Sequence, residues 1–215
     1  MGTRSGSPLG DMSGKVGPMV LTSWKSIAVV KSLPAKTKKV SPNQESRRTL
    51  FKCVMQFLEG AKDVIKLGYQ LPKKATMSEM NMAASHHLLN AVVGEYPDYH
   101  IDLSKVKLSQ PIKSTENGWK AEFTGGKNLA CEVSWELNPF PEKVTRRDDK
   151  AVAVVYDSTS GRFLYNATSQ RSALSCSFSD LRKFEGHDIF SWLFFISADG
   201  GFVSETKYLG MIKME

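Results

Sequence analysis

Residues 129–137 read Leu-Ala-Cys-Glu-Val-Ser-Trp-Glu-Leu, and their alternation decides the fold class. Cys131, Val133, Trp135 and Leu137 share one parity, while Glu132, Ser134 and Glu136 take the other. That is the period of a strand with one buried face. Strand-like segments continue on either side, at 106–112, 119–123, 151–157, 162–168, 173–178, 190–197 and 202–209. Turn signals separate them at Asn117-Gly118, Gly125-Gly126, Asn138-Pro139, Ser160-Gly161 and Asp199-Gly200-Gly201. Leu174, Cys176 and Phe178 form a second inward set, and the run Ser191–Ser197 is apolar enough for a central strand. Eight short strands with no helix between them predict an antiparallel, immunoglobulin-like β-sandwich over residues 100–215.

Upstream the period changes to that of a helix. Ser41-Pro42-Asn43-Gln44 is a capping box with proline at the first helical position. Leu50, Phe51, Val54, Phe57, Leu58, Ala61, Val64, Ile65 and Gly68 then recur at spacings of three and four. They predict one helix of roughly 40 Å ending near Gly68. A second box, Thr76-Met77-Ser78-Glu79, opens a second apolar stripe through Met80, Ala84, Leu88, Ala91 and Val92. Residues 41–99 therefore read as a helical hairpin.

Residues 1–40 carry Gly2, Gly6, Gly10, Gly14, Gly17, Pro8, Pro18 and Pro34, a content that suits extended backbone. Within them Met19–Val30 is strand-like and too short to bury both faces alone. The whole is expected to be α+β: an extended basic arm with one short strand (1–40), a helical hairpin (41–99) and a sandwich (100–215).

Charge is uneven. Through residue 74 there are 14 Lys/Arg against 4 Asp/Glu, and beyond it the balance reverses, within a net +7. No apolar window of 18 residues predicts a membrane-spanning helix, and Met1–Gly14 lacks the apolar core of a cleaved signal peptide. Synthesis and folding in the cytoplasm are expected, with non-classical release left open. Motifs for chemistry are sparse. Cys53, Cys131 and Cys176 lack CxxC spacing, and Cys131 and Cys176 read as buried thiols in preference to a disulfide. His86-His87 point about 100° apart on a helix. Asp148-Asp149 beside Arg146-Arg147 reads as a solvated cluster, and Gly125-Gly126-Lys127 lacks phosphate-loop spacing. No Ser-His-Asp or Cys-His arrangement stands out, so no catalytic residue, metal ligand or cofactor is expected, and no enzyme.

One resemblance runs through nearly the whole chain. It is carried by Ser13-Gly14-Lys15-Val16-Gly17, Trp24-Lys25, Lys31-Ser32-Leu33-Pro34, Ala91 and Tyr96-Pro97-Asp98-Tyr99. Ile101-Asp102, Val133-Ser134-Trp135, Ser204 and Tyr208-Leu209-Gly210 continue it. With these the chain resembles an uncharacterised bacterial family of unknown function. The Gly-Lys-Val-Gly opening and its tryptophan are the most specific part, and Pro18 departs from the smaller residue usual there. The resemblance implies no activity or cofactor. It does imply that the N-terminal arm is integral to the molecule.

The functional expectation is a non-enzymatic structural subunit forming homo-oligomers. Its arm would add a strand to a neighbouring sandwich, head to tail in a ring or filament, with Val20, Trp24, Ile27 and Val29 as anchors. The alternative is nucleic-acid association through Lys36, Lys38, Lys39, Arg47 and Arg48. A third reading is a ligand-binding sandwich, for instance for carbohydrate, with Trp119 or Tyr165 near loops. No small-molecule ligand can be named from the spacing.

Overall fold

The computed structural model describes residues 2–4, 13–24, 27–33, 35, 40–72, 76–125 and 129–215, with residues 2–4 and Trp24 described by backbone alone. The fold is mixed α+β with several antiparallel sheets. The chain forms two compact units, Met1–Glu45 and Ser46–Glu215.

In the first unit the reading of a single strand is corrected. Met19–Val30 is a hairpin of β3 (Met19–Trp24) and β4 (Ile27–Ser32). With β1 (Gly2–Arg4) and β2 (Gly14–Val16) it makes a four-stranded antiparallel sheet ordered β1-β4-β3-β2. The missing partner for the apolar stretch is therefore its own neighbour in sequence. The β2–β3 link is Gly17-Pro18, with Gly17 at φ +57, a left-handed value that glycine adopts without a Cβ clash.

Helix α1 (Pro42–Gly60) starts on the predicted box. Gln44 N–H donates to Ser41 Oγ at 3.3 Å, and Ser41 N–H donates to Gln44 Oε1 at 3.2 Å. The single long helix is corrected to two, since the chain breaks at Ala61 before α2 (Lys62–Gly68). A Cβ on Gly60 would lie 2.9 Å from the Phe163 ring, so tight packing favours a helix-weakening glycine there. Helix α3 (Glu79–Asn90) is capped by Ser78, whose side chain accepts from Asn81 N–H, so the cap is two residues later than Thr76. Two short strands follow, β5 (Val92–Val93) and β6 (His100–Ile101).

Seven longer strands complete the unit. They are β7 (Trp119–Gly125), β8 (Cys131–Glu136), β9 (Lys150–Asp157), β10 (Arg162–Asn166), β11 (Ser175–Phe178), β12 (Asp188–Ile196) and β13 (Lys207–Lys213). One antiparallel sheet runs β10-β9-β12-β13 and the other β11-β8-β7. Alternation explains the layering. Ala151, Ala153, Val155, Ile189, Leu193 and Phe195 meet Val133 and Trp135 in one core. The intervening Val152, Val154, Trp192 and Phe194 meet Val54, Leu58, Ile65 and Ala84 of the helices in another. The β10-β9-β12-β13 sheet is thus covered on both faces, which is why its central strands read as unbroken apolar runs.

Two further strand expectations change. The segment 106–112 forms no regular strand, because its backbone donors are taken elsewhere: Leu108 and Ser109 N–H donate to Thr206 Oγ1, and Gln110 N–H to Gly68 O. A Cβ at Gly68 would stand 2.2 Å from Leu108 O, so this approach requires glycine. Leu174 leaves the inward set. It lies at φ +63 after a 3-10 turn and is exposed, so the parity of β11 starts afresh at Ser175.

Candidate interaction surfaces

Register divides the N-terminal sheet into two unlike faces. Trp24 pairs with Ile27, Thr22 with Val29, and Val20 with both Lys15 and Lys31, so these positions share one face. The four predicted anchors, Val20, Trp24, Ile27 and Val29, come together there because the hairpin reverses the parity of its second strand. Val29 is buried on that face. The other face pairs Val16 with Met19 and Leu21 with Val30, beside Gly14, Ser23, Ala28 and Ser32. Over β2–β4 it carries no charge, and Val16, Met19 and Val30 are 51%, 48% and 39% exposed. Reading Met19–Val30 as one strand hid this face; its signal was the apolar pairing across Gly17-Pro18.

Of the cationic positions, Arg47 and Arg48 are exposed on α1, and Lys36, Lys38 and Lys39 lie outside the described residues. Trp119 and Tyr165 are both exposed but stand on different sheets, β7 and β10.

The buried polar groups of the second unit hold loops together. Asp149 is fully buried, and its Oδ2 accepts from Arg171 Nε at 3.2 Å and from Arg146 N–H at 3.1 Å. The Arg171 guanidinium also donates to Glu116 O and Asn117 O and lies 3.8 Å from the Phe195 ring centre. The Asp148-Asp149 cluster is thus split, with Asp149 in the core rather than solvated. Asp157 is likewise buried and accepts from Thr159 N–H, Ser160 N–H, Ser160 Oγ and His187 Nδ1. Burial alone would raise its pKa, but the bonds from Ser160 and His187 outweigh it and hold the carboxyl below its usual range. Ser160 is bonded to the carboxylate and not to the imidazole, so this is a turn lock and not an activated hydroxyl.

Cys53, Cys131 and Cys176 are free thiols. Burial pushes the Cys131 thiol up to about 12 and also raises Cys53, the opposite of what a nucleophile needs. Among the described residues no three His, Cys, Asp or Glu side chains gather as metal ligands, and no helix is long and apolar enough to cross a membrane.

His87 gives a pH expectation. It is buried with Nδ1 2.7 Å from Ala83 O and no partner for Nε2, and burial brings its pKa down to about 4. In the unfolded chain it protonates near 6.5. Folding stability is therefore unaffected by this group above about pH 6.5 and falls between there and pH 4, by about 3 kcal/mol in all. Urea midpoints measured across this window should drop for the native chain, and His87→Leu should flatten the drop.

No curated protein matches the chain. Residues 11–210 match the model of a family of unknown function, DUF6266, covering the Gly-Lys-Val-Gly opening, the helices and strands β2 to β12, and the chain belongs to that family.

Proposed function

We propose that this chain is a non-enzymatic assembly subunit that associates with a second copy through the face of its N-terminal sheet that is free of charge over β2–β4. One observation carries the reading: Val16, Met19 and Val30 lie exposed together on a face of the four-stranded sheet that has no charged residue over β2–β4. A sheet of this size needs an apolar face packed against something to be stable. Its edge strands β1 and β2 are three residues each, short in the way that discourages edge-to-edge pairing. Association by the face therefore replaces strand addition by the arm. Residues 1–45 hold seven Lys/Arg against two Asp/Glu; Lys15 and Lys31 take the opposite face, while on β1 Arg4 is in register with Ala28 of the pairing face. Two copies related by a two-fold axis would stack these faces about 10 Å apart.

The seven longer strands of the second unit follow an immunoglobulin-like order in part. The β11-β8-β7 sheet matches E-B-A and β9-β12-β13 matches C-F-G, while β10 stands beside β9 where variable-type domains carry C′, and no strand takes the D position beside β11 among the described residues. Free thiols throughout fit folding in a reducing compartment.

The test is sedimentation of the full chain and two variants. Met19→Lys places a charge in the dry interface and should weaken self-association about a hundredfold. Thr22→Lys, on the other face, should leave it unchanged. Equal association of all three would remove this route. Association that instead needs copurified nucleic acid and collapses with salt would favour the cationic reading through Arg47 and Arg48.

A further inference from the structure

The β10-β9-β12-β13 sheet ends at β10, whose outer edge has no strand partner among the described residues. Its sequence, Arg-Phe-Leu-Tyr-Asn, contains neither proline nor lysine, and its ladder to β9 is regular over all five pairs. The devices that usually blunt an edge, such as a bulge, proline or lysine, are missing from this strand. Leu164 and Tyr165 are exposed on it, on alternate faces. Along the Leu164 side runs a groove of about 450 Å³ with Leu181 and Phe184 as its buried floor. Its rim carries Arg162, Arg182 and Lys183, all exposed, against a single acid, Asp180, which Arg182 already engages at 2.7 Å.

We infer that β10 is an acceptor edge for an extended acidic peptide of another protein, bound by strand addition. The added backbone would take the free donors and acceptors of β10. Alternate side chains would fall over the groove, where an apolar residue meets Leu164 and Phe184 and flanking carboxylates meet Arg162 and Lys183. The chain's own hairpin does not suit the site, since residues 19–31 contain Lys25 and Lys31 and no acid. This site is independent of the N-terminal sheet and of self-association.

The experiment titrates the full chain with a fluorescein-labelled eight-residue peptide alternating glutamate and valine, read by anisotropy and by backbone amide shifts. The expected result is saturable binding with shifts centred on β10. Binding should be at least tenfold weaker when the peptide's β10-facing amides are N-methylated, and at least tenfold weaker in Arg162→Glu with Lys183→Glu. Equal binding of a lysine–valine peptide or of a peptide of residues 19–31 would overturn the assignment. Unchanged binding by the charge-reversed chain, shifts remote from β10, or no binding of the acidic probe would do the same. Both substitutions are on exposed side chains, and thermal melts will establish that the variant is folded.

Discussion

Arg171→Ala should cost about 3–5 kcal/mol, because it strands a fully buried carboxylate. Asp149 is closed off from solvent, and its Oδ1 already lacks a hydrogen-bond partner, so loss of Arg171 leaves the charge with backbone donation from Arg146. The same change frees Glu116 O and Asn117 O and empties the space over the Phe195 ring. Arg171 also anchors Trp135, whose Nε1 donates to Arg171 O at 2.8 Å, although that bond uses backbone and survives the substitution. Urea unfolding of the full chain measures the loss. The paired change Arg171→Met with Asp149→Leu removes both charges and should be less destabilising than Arg171→Ala. If the double variant is the worse of the two, the loss is one of packing and not of charge pairing.

Trp192→Ala is expected to cost about 3–5 kcal/mol by a different route, the cavity left in the core. Trp192 is fully buried on the helix-covered face of β12, its ring lying among Tyr156, Phe163 and Tyr208, and its Nε1 donates to Leu103 O at 3.2 Å. The substitution both opens the core beneath α1 and α2 and removes that donor. Trp192→Phe keeps most of the volume and should cost about half as much or less. Chemical denaturation of the three proteins distinguishes these; a Trp192→Ala protein within 1 kcal/mol of native would mean that the helical layer collapses onto the sheet without loss.

The sequence pattern is informative where a residue has one neighbour type to satisfy. β8 alternates because one face is buried and the other open, and its register could be read directly from Cys131, Val133 and Trp135. The box at Ser41–Gln44 is local, and both of its hydrogen bonds form. Harder to read was whatever depends on two elements meeting. The run Ser191–Ser197 announces a central strand, but nothing in it says that Phe194 faces helices while Phe195 faces a second sheet. The glycine at position 60, just before the break at Ala61, packs against Phe163, far downstream in the chain. In the N-terminal unit, the division of Met19–Val30 into two paired strands is not legible in the sequence, because Lys25-Ser26 carries no glycine, proline or asparagine to signal a reversal. Read as one strand, Met19–Val30 directs attention to the face opposite Val16, Met19 and Val30. Asp149 and Asp157 look like any loop carboxylates, and only the folded chain distinguishes them as buried locks.

The most direct measurement is light scattering behind size exclusion on the unmodified chain after nuclease treatment, over a range of concentrations and at low and high salt. Association through the apolar β2–β4 face predicts a mass that rises with concentration from 23.9 kDa to twice that value and does not fall as salt is added. A mass of 23.9 kDa at every concentration and salt would contradict it.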